Sequence, residues 1–189
     1  MKIINLSPLV AMLILMSVSS CKKDEPKDPV IPNEEEVITT LHYTLTPNNG
    51  GAPVKLTFQD LDGDGGNPPT ISKGVLDANT TYLGSLELLN EIESPAKSLT
   101  KEIEEEADEH QFFFNTTVKD LSISYADKDA NSKPIGLVTS LSTKGRATGK
   151  ITIILKHEPN KNASGVSDGI IDNAGGETDI EVSFDIEVR

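Results

Sequence analysis

The sequence predicts an all-β fold, an antiparallel β-sandwich of immunoglobulin-like or similar architecture, and three observations carry that prediction. Apolar residues recur at every second position through most of the chain after Val37. Clusters of Gly, Pro, Asn and Asp separate the alternating runs, and only residues 98–109 have the composition of a short helix. A half-buried strand needs period two, because successive side chains point to opposite faces of a sheet.

The runs follow in order. Val37, Leu41, Tyr43 and Leu45 share one face of the first, and Ile38, Thr40, His42 and Thr44 the other. Val54, Leu56 and Phe58 alternate with Lys55, Thr57 and Gln59. Tyr82, Leu86 and Leu88 are in phase, as are His110, Phe112 and Phe114, then Leu121, Ile123 and Tyr125. Ile135, Leu137 and Leu141 make a further strand, followed by Ile151, Ile153 and Leu155. In the last run Ile180, Val182, Phe184, Ile186 and Val188 oppose Asp179, Glu181, Ser183, Asp185 and Glu187. Pro47-Asn48-Asn49-Gly50-Gly51, residues 63–69 and Asn173-Ala174-Gly175-Gly176 supply turns. Such a pattern expects one wet face on each sheet. No repeat of solenoid or propeller period is present.

The front of the chain reads differently. Met1 and Lys2 form a short basic start, residues 3–18 are mostly apolar, and Val18-Ser19-Ser20 places small residues before Cys21. This pattern resembles a bacterial lipobox, in which the cysteine is acylated and becomes the new N-terminus. The apolar run contains Asn5 and Pro8 and falls short of the roughly 20 residues that a spanning helix needs. Residues 1–20 are therefore expected to be a signal peptide and residues 21–36 a lipidated, Pro- and Glu-rich tether. Residues 37–189 are expected to form one domain of ordinary size. Acyl chains on Cys21 would hold that domain at a membrane surface. Lys23-Asp24-Glu25, just after the cysteine, resembles the surface-export signal of Bacteroidota lipoproteins; periplasm-facing placement is the alternative.

The net charge of −13 sets phosphate backbones at a disadvantage, so nucleic acid is not an expected partner. Cations or basic surfaces are favoured by the same field, although solubility alone also accounts for it. With one cysteine the chain forms no internal disulfide and no CxxC pair.

Four blocks carry a resemblance over nearly all of the chain beyond the tether: residues 56–67 (LTFQDLDGDGGN), 103–114 (IEEEADEHQFFF), 155–161 (LKHEPNK) and 175–182 (GGETDIEV). Together they resemble a group of small flavobacterial lipoproteins that carry the label "type 1 periplasmic binding fold superfamily protein". The fold in that label is a two-lobed α/β structure of about twice this length, so the fold expectation stays with the strand periodicity. What the resemblance implies is an envelope lipoprotein, anchored in the outer membrane beside a transporter.

Two segments have the residues for a metal. Asp60-Leu61-Asp62-Gly63-Asp64-Gly65 begins like a calcium loop, with Asp60, Asp62 and Asp64 at alternate positions and glycine at the turn. Ile71 stands where such a loop carries its bidentate glutamate, so a structural Ca²⁺ site and a bare acidic turn are both open readings. The other segment pairs Glu106, Glu109 and His110 with His157 and Glu158. If residues 98–110 were helical, Glu106 and His110 would share a face one turn apart. His157 ends the inward phase of Ile151, Ile153 and Leu155, and imidazole with carboxylate suits Zn²⁺ or another borderline divalent ion. The alternative is a solvated acidic face with isolated polar edge histidines.

Two other strings point nowhere. Gly165-Val166-Ser167-Asp168-Gly169 has the G-x-S-x-G spacing of a nucleophile elbow, but no histidine follows Ser167. Residues 144–151 are one residue short of a phosphate loop and put Ile151 where a magnesium-binding hydroxyl belongs. Without a coherent nucleophile, base and oxyanion set the expectation is a non-enzyme that captures or hands over a ligand in nutrient uptake, a divalent metal first. A structural or adhesive module and a metal-dependent hydrolase are the alternatives.

Overall fold

The computed structural model describes residues 37–63 and 66–189; Cys21, the expected signal peptide and tether (residues 1–36) and Asp64 lie outside the described residues. The fold is an all-β sandwich of two sheets. Its strands are β1 (Thr40–Pro47), β2 (Val54–Gln59), β3 (Thr70–Ile71), β4 (Gly74–Leu76), β5 (Thr81–Asn90), β6 (Lys97–Ser98), β7 (His110–Thr116), β8 (Ser122–Tyr125), β9 (Val138–Ser142), β10 (Ala147–His157) and β11 (Glu177–Val188). One helix, α1 (Leu99–Glu105), lies between β6 and β7. The larger sheet has the order β3-β2-β1-β5-β9-β8, with β6 paired to β5; the smaller is β4-β11-β10-β7.

Period-two alternation sends Leu41, Tyr43 and Leu45 of β1, Leu56 of β2, and Tyr82, Leu86 and Leu88 of β5 inward from the larger sheet. Phe112, Ile151, Ile153, Leu155, Val182, Phe184 and Ile186 meet them from the smaller one. Fully burying each large side chain contributes about 1.5–3 kcal/mol, so these two inner faces hold the sandwich together.

In four places the structure departs from the sequence expectation. The β4–β11 pair is parallel, the rest of both sheets antiparallel. The chain crosses from β3 in the larger sheet to β4 in the smaller, and a strand that arrives across the sandwich is not bound to hairpin direction. At that crossing a Cβ on Gly74 would lie 2.6 Å from Leu56 Cδ2 and 2.8 Å from Ile186 Cδ1, so a larger residue there would have to displace both side-chain ends. The helix is shorter than residues 98–109 and stops at Glu105. Its last turn has no basic residue, and Glu104, Glu105, Glu106 and Asp108 crowd the negative end of the helix dipole.

The third departure concerns Ile135 and Leu137, which are buried before β9 begins at Val138. Ile135 O accepts from Phe112 N of the smaller sheet, and Leu137 O accepts from Leu86 N of the larger. This segment bridges the two sheets instead of extending a strand. Finally, the outer face of the smaller sheet is not uniformly wet. Phe113 and Ile154 point away from the main core and bury against Val166 and Ala174 of the long β10–β11 connection, as the unbroken Phe112-Phe113-Phe114 run requires.

Candidate metal centre

His110 opens β7 and His157 closes β10, and the antiparallel register sets them directly opposite each other. Their rings stack with centroids 4.8 Å apart and planes 21° apart. His110 is 2% exposed, and 12% of the His157 side chain meets solvent. Histidines separated by most of β7, β8, β9 and β10 thus share one corner of the sandwich.

Local backbone structure fixes that corner. After α1 the chain turns so that Glu106 O accepts both the Glu109 N–H at 2.9 Å and the His110 ring at Nδ1, 3.1 Å away. A carbonyl only accepts, so Nδ1 carries the proton, and the lone pair of the neutral ring is the one on Nε2. This arrangement orients metal-binding imidazoles elsewhere in proteins, where the second ring nitrogen donates to a carbonyl. Glu158 N–H donates to Glu109 O at 2.6 Å, locking the two acidic neighbours of the histidines side by side. Glu158 sits at φ +49°. Gly176, at φ +67°, packs so closely that a Cβ there would collide with the His157 carbonyl oxygen.

Donor atoms of Glu109, His157 and Glu158 lie within 4.8 Å of one another. His157 Nε2 is 3.9 Å from Glu109 Oε2. A tetrahedral ion with bonds of about 2.0–2.1 Å needs donors about 3.3 Å apart. The separations here are wider than that. Nitrogen and oxygen donors without thiolate suit Zn²⁺ and similar divalent ions rather than Cu⁺.

Asp179 belongs to this corner, although its alternation with Ile180 reads as solvent-facing. The β10–β11 register shifts between Leu155, opposite Ile180, and Lys156, opposite Thr178, which leaves Asp179 as the extra residue of a bulge. One of its carboxylate oxygens, Oδ2, is buried without a hydrogen-bond partner. Burial pushes its carboxyl above the ordinary range, and the neighbouring His110 and His157 rings pull in the opposite direction. A bulge gives no signal in a single sequence beyond the Gly175-Gly176 pair just before it.

The other sequence candidates are placed as follows. Glu106 contributes its backbone carbonyl to the corner, and the helical spacing of Glu106 with His110 is not formed because α1 has already ended. Asp60 Oδ1 accepts from the backbone N–H groups of Asp62 and Gly63 at 3.3 and 2.9 Å. Asp62 Oδ2 accepts from Asn67 N at 2.9 Å and Asn67 Nδ2 at 2.8 Å, and these bonds hold its carboxyl below the usual range. The two described aspartates of the calcium-like string therefore shape their own turn. Ser167 sits in a short 3₁₀ turn between Gly165 and Gly169 and donates to Lys161 O, away from any strand-to-helix elbow. Gly149 lies inside β10, tight against Thr117 and Val118, so residues 144–151 form a turn and a strand start rather than a phosphate loop. His42, on the larger sheet, bonds Thr57 Oγ1 at 3.2 Å.

Sequence reasoning also missed Lys161, which is 5% exposed. Its ammonium donates to Ala107 O at 2.5 Å, Asp129 Oδ2 at 3.0 Å and Pro134 O at 3.0 Å. It ties the β10–β11 connection to the turn that leads into His110. Among the described residues no helix is long and apolar enough to cross a membrane. No protein-family model, curated protein or solved structure matches the chain.

Proposed function

We propose that this protein is a lipid-anchored envelope protein that captures a divalent transition metal and hands it on, in nutrient uptake beside an outer-membrane transporter. The observation that carries the metal reading is the cross-strand histidine pair, His110 opposite His157, flanked by Glu109 and Glu158 whose backbones are bonded to each other. Two imidazoles brought together from distant parts of the chain, one with its tautomer set by a carbonyl, stand beside carboxylates, and these are the donor types that divalent transition metals take. A partly open corner with carboxylates at its rim also suits release as well as capture, since exposed ligands exchange with water. The anchor rests on Cys21 and the apolar segment before it. The lipoprotein resemblance points to the outer membrane.

Metal analysis after equilibrium dialysis against Zn²⁺ tests the reading. The protein should retain about one equivalent, and the His110→Ala, His157→Ala double variant should retain none above background. Equal retention by both proteins would remove the proposal.

A further inference from the structure

Imidazole binds an ion through a lone pair that lies in the plane of the ring, so two histidines serve one ion only where their ring planes cross at it. The His110 and His157 rings are stacked instead, with centroids 4.8 Å apart and planes 21° apart. Planes so nearly parallel, on rings held face to face, cross well beyond a bond length of about 2.0–2.1 Å from either nitrogen. His110 also has Nδ1 turned to Glu106 O and is 2% exposed. Among the described residues, the donors that converge come from Glu109, His157 and Glu158, all within 4.8 Å of one another. Glu109 precedes His110 and Glu158 follows His157, and the bond from Glu158 N–H to Glu109 O at 2.6 Å holds their backbones together. The histidine of this group is enclosed, with 12% of its side chain meeting solvent, whereas 54% of the Glu109 side chain does and Glu158 is exposed.

Resting on the metal reading above, we propose that His157, Glu109 and Glu158 are the side chains that hold the ion, and that His110 is a positioning residue. Its ring, fixed by Glu106 O, backs the face of the His157 ring and keeps that imidazole turned towards the two carboxylates. One nitrogen and two anionic oxygens are a harder donor set than a pair of imidazoles, and the carboxylates stand on the solvent side, where water completes the coordination. The substrate class is therefore the first-row divalent ions that accept carboxylate and water beside imidazole, Mn²⁺ and Fe²⁺ together with Zn²⁺.

The test uses the full chain in detergent, with Zn²⁺ affinity measured by competition against a chromophoric chelator and Mn²⁺ binding by loss of the free-ion electron paramagnetic resonance signal. His157→Phe should weaken Zn²⁺ binding at least about 100-fold, and Glu109→Gln and Glu158→Gln at least about 10-fold each. Glu105→Gln, a neighbouring acid outside the group, should leave the affinity unchanged. His110→Phe keeps a flat ring against His157 and removes both nitrogens; it should lose less than about 10-fold, and His110→Ala, which removes the ring, should lose more. Should the phenyl ring disturb the fold, His110→Gln, which retains a donor for Glu106 O, repeats the measurement. Mn²⁺ should bind the wild type and be displaced by Zn²⁺. Losses in His110→Phe and His110→Gln as large as in His157→Phe, or wild-type affinity in both glutamine variants at Glu109 and Glu158, overturn the ligand assignment and leave the metal reading standing. No Mn²⁺ binding overturns the ion class, and Zn²⁺ binding that His157→Phe does not reduce overturns the metal reading with it.

Discussion

Tyr43 stands in the middle of the larger sheet with its hydroxyl 2.7 Å from Thr139 Oγ1, wholly buried. The gap that receives its ring is Gly84, where a Cβ would collide with Thr139 Oγ1 and stand 2.6 Å from Tyr43 Oη. Glycine thus replaces the apolar residue that the phase of Tyr82, Leu86 and Leu88 leaves missing. Burial pushes the Tyr43 phenol from 10.0 up to about 12, and the same cause lifts Tyr125, which donates to Phe112 O at 2.8 Å, to about 12. A raised folded value means that the folded state keeps its proton longer than the unfolded chain. Stability from these two groups is therefore complete below about pH 10 and is lost as pH climbs towards about 12. With only three tyrosines and no tryptophan, phenolate absorbance reads this directly. Two tyrosines should ionise near 12 together with loss of the fold; ionisation of all three near 10 in the folded protein would contradict it.

At the scale of elements, the corner that holds the histidines depends on connections rather than on strands. Lys161 satisfies all three of its ammonium donors across the β10–β11 connection, the turn after α1 and the β8–β9 connection. Asp129, its partner, also accepts from the backbone N–H groups of Asn131 and Lys133. Burial alone would raise the Asp129 carboxyl, yet those N–H groups and Lys161 together hold it below the usual range. Removing one member of such a pair strands the other charge, so Lys161→Met should destabilise the protein by about 3–5 kcal/mol in urea unfolding. Adding Asp129→Asn to it should recover part of that loss. A Lys161→Met variant within about 0.5 kcal/mol of wild type would show that the buried pair does not hold the corner, being no larger than an ordinary surface change. Strand positions were legible in the sequence because period two survives whatever the strands pair with. The parallel β4, the early end of α1 and the bulge at Asp179 were not, since each follows from a partner strand or a charge crowd that one-dimensional spacing does not identify.

For the whole molecule, two-sheet architecture followed from the alternating runs, while the sheet order did not, because nothing in β3 or β4 states which sheet they join. The candidate centre was half legible. His110 and His157 could be singled out as strand-end histidines beside carboxylates, and their meeting depends on the β7–β10 register. Asp179 required the bulge, and Lys161 required the three-way contact, so neither carried a signal along the chain. The cross-strand pair is the feature on which the functional reading depends. His42, on the other sheet and bonded to Thr57, is a built-in reference, because the chain has only three histidines. The decisive measurement is a Zn²⁺ titration followed through the imidazole nitrogen resonances of the protein. The account predicts that His110 and His157 move together, both complete at one equivalent, while His42 stays in place; independent shifts of the two, or none at all, would contradict it.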